Sequence, residues 1–123
     1  MTLIGIGIDA VDVERFRNTL QRTPSMRTRL FTPDELGYLN DRLDPIPGLA
    51  ARFAAREAAM KALDQRLGAW GFHDISVARD GLGPPRLVVI GRAAEVAAQF
   101  GVRGWKVSLT HTDTVAMAVV AAF

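Results

Sequence analysis

The chain opens on an alternation: Ile4, Ile6 and Ile8 stand at every second position, with Gly5, Gly7 and Asp9 between them. A period of two belongs to a β-strand, and here it leaves one face almost bare backbone before the Asp9 carboxylate. Glycines inside a strand mark close approach of a second backbone or a ligand. From about Asp12 to Leu20 the period lengthens to that of a helix, with Val13, Phe16 and Leu20 on one side, until Thr23-Pro24-Ser25 breaks it. Thr32-Pro33-Asp34-Glu35 combines an N-cap hydroxyl, a proline at the first helical position and a capping-box glutamate. That predicts a short helix near Pro33 to Asn40. Asp44-Pro45-Ile46-Pro47-Gly48 reads as a loop.

The longest helix is predicted from about Leu49 to Leu67, with Leu49, Phe53, Met60, Leu63 and Leu67 as one apolar stripe. Glu57 and Lys61 fall on one flank of the stripe, Arg52 on the other and Arg56 inside it. Beyond it the pattern predicts strands from Ile75 to Arg79 and Arg86 to Ile90, joined by the loop Asp80 to Pro85. A helix from Arg92 to Phe100 follows, stopped by Gly101, then strands from Trp105 to Thr110 and Val115 to Ala122 about a turn at His111 to Thr114. Helices gather early and hairpin-linked strands late. The expected class is α+β: a largely antiparallel sheet packed against a long central helix, in a single domain spanning 1–123.

Composition narrows the chemistry. The 123 residues are 49% hydrophobic and 23% charged, the balance of a folded domain rather than a disordered one. With no cysteine, disulfide frameworks, thiol catalysis, zinc-thiolate sites and iron–sulfur clusters are excluded. The longest apolar run, Val115 to Phe123, is too short for a membrane span, and the N-terminus lacks the basic start of a signal peptide. A cytoplasmic protein with no membrane partner is expected. The net charge of +2 understates the basic character, because all the basic residues except Lys61 and Lys106 are arginines. Arg15, Arg17, Arg22, Arg27 and Arg29 lie in one stretch without an acid. Two readings stand: a solvated face, or a docking surface for an acidic partner or a polyphosphate.

Asp9 at a strand end and Glu57 on a helix edge are hard oxygen donors from different elements. If they converge they suit Mg2+, which takes one or two carboxylates plus substrate phosphates. The competing readings are an i,i+4 pair of Glu57 with Lys61 and a helix cap for Asp9. Lys61 and Arg52 are either solvated charges or neutralisers of a bound polyphosphate. His111, beside Ser108 and Thr110, is either a turn residue or a contact for phosphate oxygens. No serine sits in a nucleophile elbow, and Gly5-Ile6-Gly7 lacks the third glycine of a dinucleotide fingerprint. A basic nucleic-acid-binding module and a metal-dependent nucleotide pyrophosphatase remain as alternatives.

Four segments together resemble a known family. Gly5-Ile6-Gly7-Ile8-Asp9 with Val11 and Arg15, the run Arg52-Phe53-Ala54-Ala55-Arg56-Glu57-Ala58-Ala59-Met60-Lys61-Ala62, Gly83-Pro84-Pro85, and Ser108-Leu109-Thr110-His111 occur in that order. They resemble the motifs of the short, stand-alone holo-[acyl-carrier-protein] synthases, which are 4′-phosphopantetheinyl transferases. The resemblance implies transfer of the phosphopantetheine arm of coenzyme A to a serine of an apo acyl carrier protein, releasing adenosine 3′,5′-bisphosphate, in fatty acid biosynthesis. It implies Asp9 and Glu57 as Mg2+ ligands, with Glu57, Lys61 and Asp9 as the catalytic set. Arg52, Lys61, Gly83, Pro85, Ser108, Thr110 and His111 are implied at the coenzyme A site, and Arg15, with Arg22 and Arg27 of the basic run, at the carrier-protein dock. A homotrimer with sites between subunits is implied, and no nucleic-acid partner. Arg56 stands where the family usually has lysine, and Pro84 where a basic residue is common.

Overall fold

The computed structural model describes residues 2–123. In chain order the elements are β1 (Gly5–Asp12), α1 (Val13–Arg22), α2 (Met26–Leu30), α3 (Pro33–Leu39), α4 (Ile46–Ala62), a 3-10 turn (Phe72–Asp74), β2 (Ile75–Ala78), β3 (Arg86–Val89), α5 (Gly91–Gln99), β4 (Trp105–His111) and β5 (Val115–Ala122). Every strand pairing is antiparallel, but there are two sheets rather than one. The first has the order β1-β5-β4; the second is the β2-β3 hairpin. Among the described residues no helix is long and apolar enough to cross a membrane.

The glycines of β1 explain how the sheet meets α4. A Cβ on Gly5 would fall 1.7 Å from Ala62 O, and one on Gly7 would fall 1.9 Å from Ala58 O. Strand and helix therefore touch backbone to backbone, which no larger residue allows. The helix answers with alanines: Ala50, Ala51, Ala54, Ala55, Ala58, Ala59 and Ala62 are all buried. Ile6 and Ile8 lie on the opposite face, 62% and 57% exposed, whereas Ile4, just ahead of β1, packs against the core.

Helix α4 begins three residues before the expected Leu49 and ends five before Leu67. At its start Pro47 occupies the first turn, where an amide donor has no partner to lose, so of the segment read as a loop Ile46, Pro47 and Gly48 are helical and Asp44 and Pro45 are not. At its end Asp64 takes a left-handed conformation (φ 54°) and Gln65 N donates back to Met60 O at 2.8 Å. Leu67 is thereby thrown out of the stripe and is 70% exposed. Of the remaining stripe residues Leu49, Met60 and Leu63 are buried and Phe53 is half-buried, yet the buried alanines extend the covered face nearly all round the helix. Two short elements escape a periodicity reading: α2, of 5 residues, and the 3-10 turn, of 3. His111, expected in a turn, closes β4.

Candidate active site

Between Leu49 and Ala62, helix α4 leaves only Phe53, Glu57 and Lys61 unburied. Their i,i+4 spacing makes them one line along the helix. That line runs beside β1. Lys61 Nζ donates to Ile8 O at 3.0 Å and to Asp9 Oδ1 at 3.1 Å, so the ammonium bonds across to the strand and not to the carboxylate four residues back. Asp9 is not a helix cap either, because Asp12 fills that role by accepting from Arg15 N at 2.8 Å.

Asp9 and Glu57 line one cavity of about 430 Å³, with Val11, Asp12, Arg15, Phe16, Thr19, Met26 and Phe53. Partial burial pushes the Glu57 carboxyl above its ordinary value, and the neighbouring Asp9 charge pushes it further, against a smaller opposing pull from Lys61. Asp9 and Glu57 thus share a space with the Asp12 carboxylate, the Arg15 guanidinium and the apolar side chains of Val11, Phe16, Met26 and Phe53. Among the described residues no set of three or more acids or imidazoles is placed to hold a metal ion.

A second cavity of about 420 Å³ is cationic. Arg42, Arg52, Arg79, Tyr38, Thr110 and His111 line it, with Asp44 the one acid. Both Asp44 carboxylate oxygens are taken by Arg17, at 3.0 and 2.6 Å, and the Arg17 guanidinium holds Asp44 below the usual carboxylate range. Arg52 is 4% exposed, donates to Gly48 O at 3.2 Å, and its Nε has no partner. Burial lowers its pKa, and the nearby Arg79 and Arg42 charges add to the effect, against Glu35 and Tyr38. A buried, incompletely bonded guanidinium in such surroundings fits an anion. Ala116 of β5 pairs with Val11 on one side and His111 on the other, so these two lining residues, one from each cavity, stand at one level of the sheet, about two strand spacings, roughly 10 Å, apart.

The other predicted residues lie around these cavities. Gly83 and Pro85 line neither of the two, but Gly83 O accepts from Arg79 Nε at 2.8 Å, which ties their loop to the cationic cavity. Ser108 is exposed on the outer sheet face beside Ile8, Met117 and Val119. Arg15 lines the carboxylate cavity; Arg22 and Arg27 are exposed near it on α1 and α2. Phe16 and Phe31, the aromatics of the arginine run, are buried and offer no stacking platform to a base.

Arg56, which stands where the family usually has lysine, lines neither cavity. It is 2% exposed and forks onto Glu35, with Nη1 to Oε2 at 2.9 Å and Nη2 to Oε1 at 2.5 Å. Sequence reasoning missed Arg42, Arg79 and Tyr38. They sit in or beside loops, and only the fold brings them to Arg52.

Comparison with known proteins shows the family. The family described as the 4′-phosphopantetheinyl transferase superfamily matches residues 5–120. The holo-[acyl-carrier-protein] synthase of Streptomyces avermitilis is 47% identical over 122 residues, covering 99% of this chain and 98% of that one. The crystal structure of holo-[acyl-carrier-protein] synthase from Neisseria meningitidis superposes with a TM-score of 0.88 at 28% identity, covering 99% of each chain. That of the Helicobacter pylori enzyme in complex with coenzyme A gives 0.80 at 27% identity, covering 96% of this chain and 99% of that one. The chain belongs to the 4′-phosphopantetheinyl transferase superfamily and, within it, to the holo-[acyl-carrier-protein] synthases.

Proposed function

We propose that the chain moves the 4′-phosphopantetheine arm of coenzyme A onto a serine of an apo acyl carrier protein, with Mg2+, and that this primes carriers for fatty acid biosynthesis. The serine oxygen forms a bond to the phosphorus that bears pantetheine. The bond from that phosphorus to the bridging oxygen breaks, and adenosine 3′,5′-bisphosphate leaves with the bridging oxygen. The observation that carries this reading is the meeting of Asp9 and Glu57 in one cavity, with Lys61 bonded to Asp9.

The donor set fits Mg2+: two hard carboxylates line one cavity, and burial first and the Asp9 charge second disfavour an uncompensated negative charge on Glu57. Asp9 and Glu57 would hold the ion, which when bound supplies charge neutralisation to the diphosphate. Lys61, at the rim, stabilises negative charge growing on the leaving oxygens. Glu57, whose carboxyl burial raises above its ordinary value, lines the cavity as a side chain able to accept the serine proton. Arg52, Thr110 and His111, joined by Arg42 and Arg79, receive the coenzyme A phosphates in the cationic cavity. The exposed Arg15, Arg22 and Arg27 draw in the acidic carrier, an attraction that mainly speeds encounter and weakens with salt.

Intact-protein mass spectrometry tests the reading. Apo carrier incubated with this chain, coenzyme A and Mg2+ gains the mass of phosphopantetheine. An unmodified carrier with intact coenzyme A sinks the proposal, and coenzyme A cleaved without any carrier present makes the chain a pyrophosphatase.

A homotrimer is part of the same reading. Ile6 and Ile8 stand exposed on the outer sheet face beside Met117 and Val119, an apolar strip of the kind that another subunit covers. Sedimentation is expected to give a three-chain mass that Ile8→Glu reduces. A wild-type chain that sediments as a monomer removes the trimer.

A further inference from the structure

In the cationic cavity one aromatic ring serves two of the three guanidiniums. Tyr38, on α3, sets its ring 5.5 Å from Arg42 Cζ and 5.2 Å from Arg52 Cζ. Its hydroxyl accepts from Arg42 Nη2 at 3.4 Å and donates to Gly81 O at 3.2 Å. A single side chain therefore ties the segment after α3, helix α4 and the Asp80–Pro85 loop to one another. Arg79, the third arginine, reaches the same loop through Gly83 O at 2.8 Å.

Like charges drawn together repel until an anion arrives, and neutral acceptors help to hold them in the meantime. For Arg52 those acceptors are Gly48 O and the Tyr38 ring face; its Nε has none. Remove Tyr38 and two cations lose their shared platform, while the loop loses its bond to α3.

We propose that Tyr38 is a positioning residue for coenzyme A, holding Arg42 and Arg52 ready for its phosphates and coupling both to the Asp80–Pro85 loop. The inference rests on the reading that this cavity receives those phosphates. Tyr38 does not line the cavity that holds Asp9 and Glu57, so its contribution falls on binding and not on the chemical step.

Tyr38→Phe keeps the ring and deletes the hydroxyl bonds. It is expected to raise the KM for coenzyme A about fivefold, the worth of roughly one net hydrogen bond, with kcat within about twofold of wild type. Tyr38→Leu also deletes both ring–cation contacts and raises KM about fiftyfold. Unchanged KM in Tyr38→Phe, or a fall in kcat at constant KM, overturns the proposal. Calorimetry with coenzyme A and Arg52→Ala separates the two levels. If Arg52→Ala binds as tightly as wild type, the cavity is not the phosphate site and the underlying reading fails. If Arg52→Ala binds weakly while Tyr38→Phe binds normally, only the positioning role fails.

Discussion

Glu57→Gln and Asp9→Asn are each expected to lower the rate of phosphopantetheine transfer by about 10²–10³-fold, the scale of losing a principal electrostatic contact to the transition state. Both replacements keep side-chain volume and remove charge, so packing along the line of Phe53, Glu57 and Lys61 is undisturbed. Stability should move the other way for Glu57→Gln. A carboxyl whose folded pKa is raised binds its proton more tightly folded than unfolded. Its ionised form at neutral pH therefore costs stability, through burial first and the Asp9 charge second. Glutamine relieves both, and the melting midpoint of Glu57→Gln should equal or slightly exceed that of wild type. Asp9→Asn is different, because it turns the Lys61 ion pair into a neutral hydrogen bond beside the one to Ile8 O. That pair is partly exposed and worth about 1 kcal/mol or less, too little to unfold the protein. Transfer rates at saturating coenzyme A, measured beside thermal midpoints, check both variants. Turnover within threefold of wild type in either one removes that residue from the site.

The features legible in the sequence were those that local physics dictates. Gly5 and Gly7 announced a close approach, and the structure supplies it as the Ala62 and Ala58 carbonyls. The capping box at Thr32 and Glu35 is present as read, with both of its bonds made. Periodicity failed where its premise failed. An apolar stripe presumes one buried face, whereas α4 lies in the middle of the molecule and is buried nearly all round by alanines, which carry little weight in such a pattern. Its true end depends on the left-handed backbone of Asp64, which nothing in the residue type requires.

Motif order brought Asp9, Glu57 and Lys61 onto the page together. Arg42, Arg79 and Tyr38 carry no motif and depend on where loops return. The arginine run was also not uniform. Arg17 is withdrawn into pairs with Glu14 and Asp44, whereas Arg15, Arg22 and Arg27 stay exposed. Its role is to fasten α1 to the segment before α4, and the sequence gives no sign of it because Asp44 lies beyond two intervening helices.

Arg56→Met is expected to destabilise the fold by about 3–5 kcal/mol at neutral pH, the cost of leaving a buried charge without its partner. Glu35 is 1% exposed and accepts from Arg56 through both oxygens; Thr32 N and Val77 N, each at 3.0 Å, complete its shell. Arg56 is equally committed, with Nε on Phe72 O at 2.9 Å and its guanidinium 5.1 Å from the Phe31 ring centre. The pair thus clamps α3, α4, β2 and the 3-10 turn at one point. Burial alone would raise the Glu35 carboxyl, but the Arg56 guanidinium and the Thr32 and Val77 amides together outweigh it and hold the carboxyl below its ordinary 4.5. A depressed folded pKa means stability that is fully present above about pH 4.5 and lost as pH falls below it. In Arg56→Met burial prevails, Glu35 takes up a proton more readily, and acid relieves the variant while it weakens wild type. The stability gap read from urea unfolding should therefore be widest near neutrality and narrow in acid. Arg56→Lys, which restores the residue usual in the family, keeps the charge but loses the fork and the bond to Phe72 O, so it should fall between the two. A gap below about 1 kcal/mol at neutral pH, or one that does not narrow on acidification, would show that the clamp contributes nothing beyond its packing.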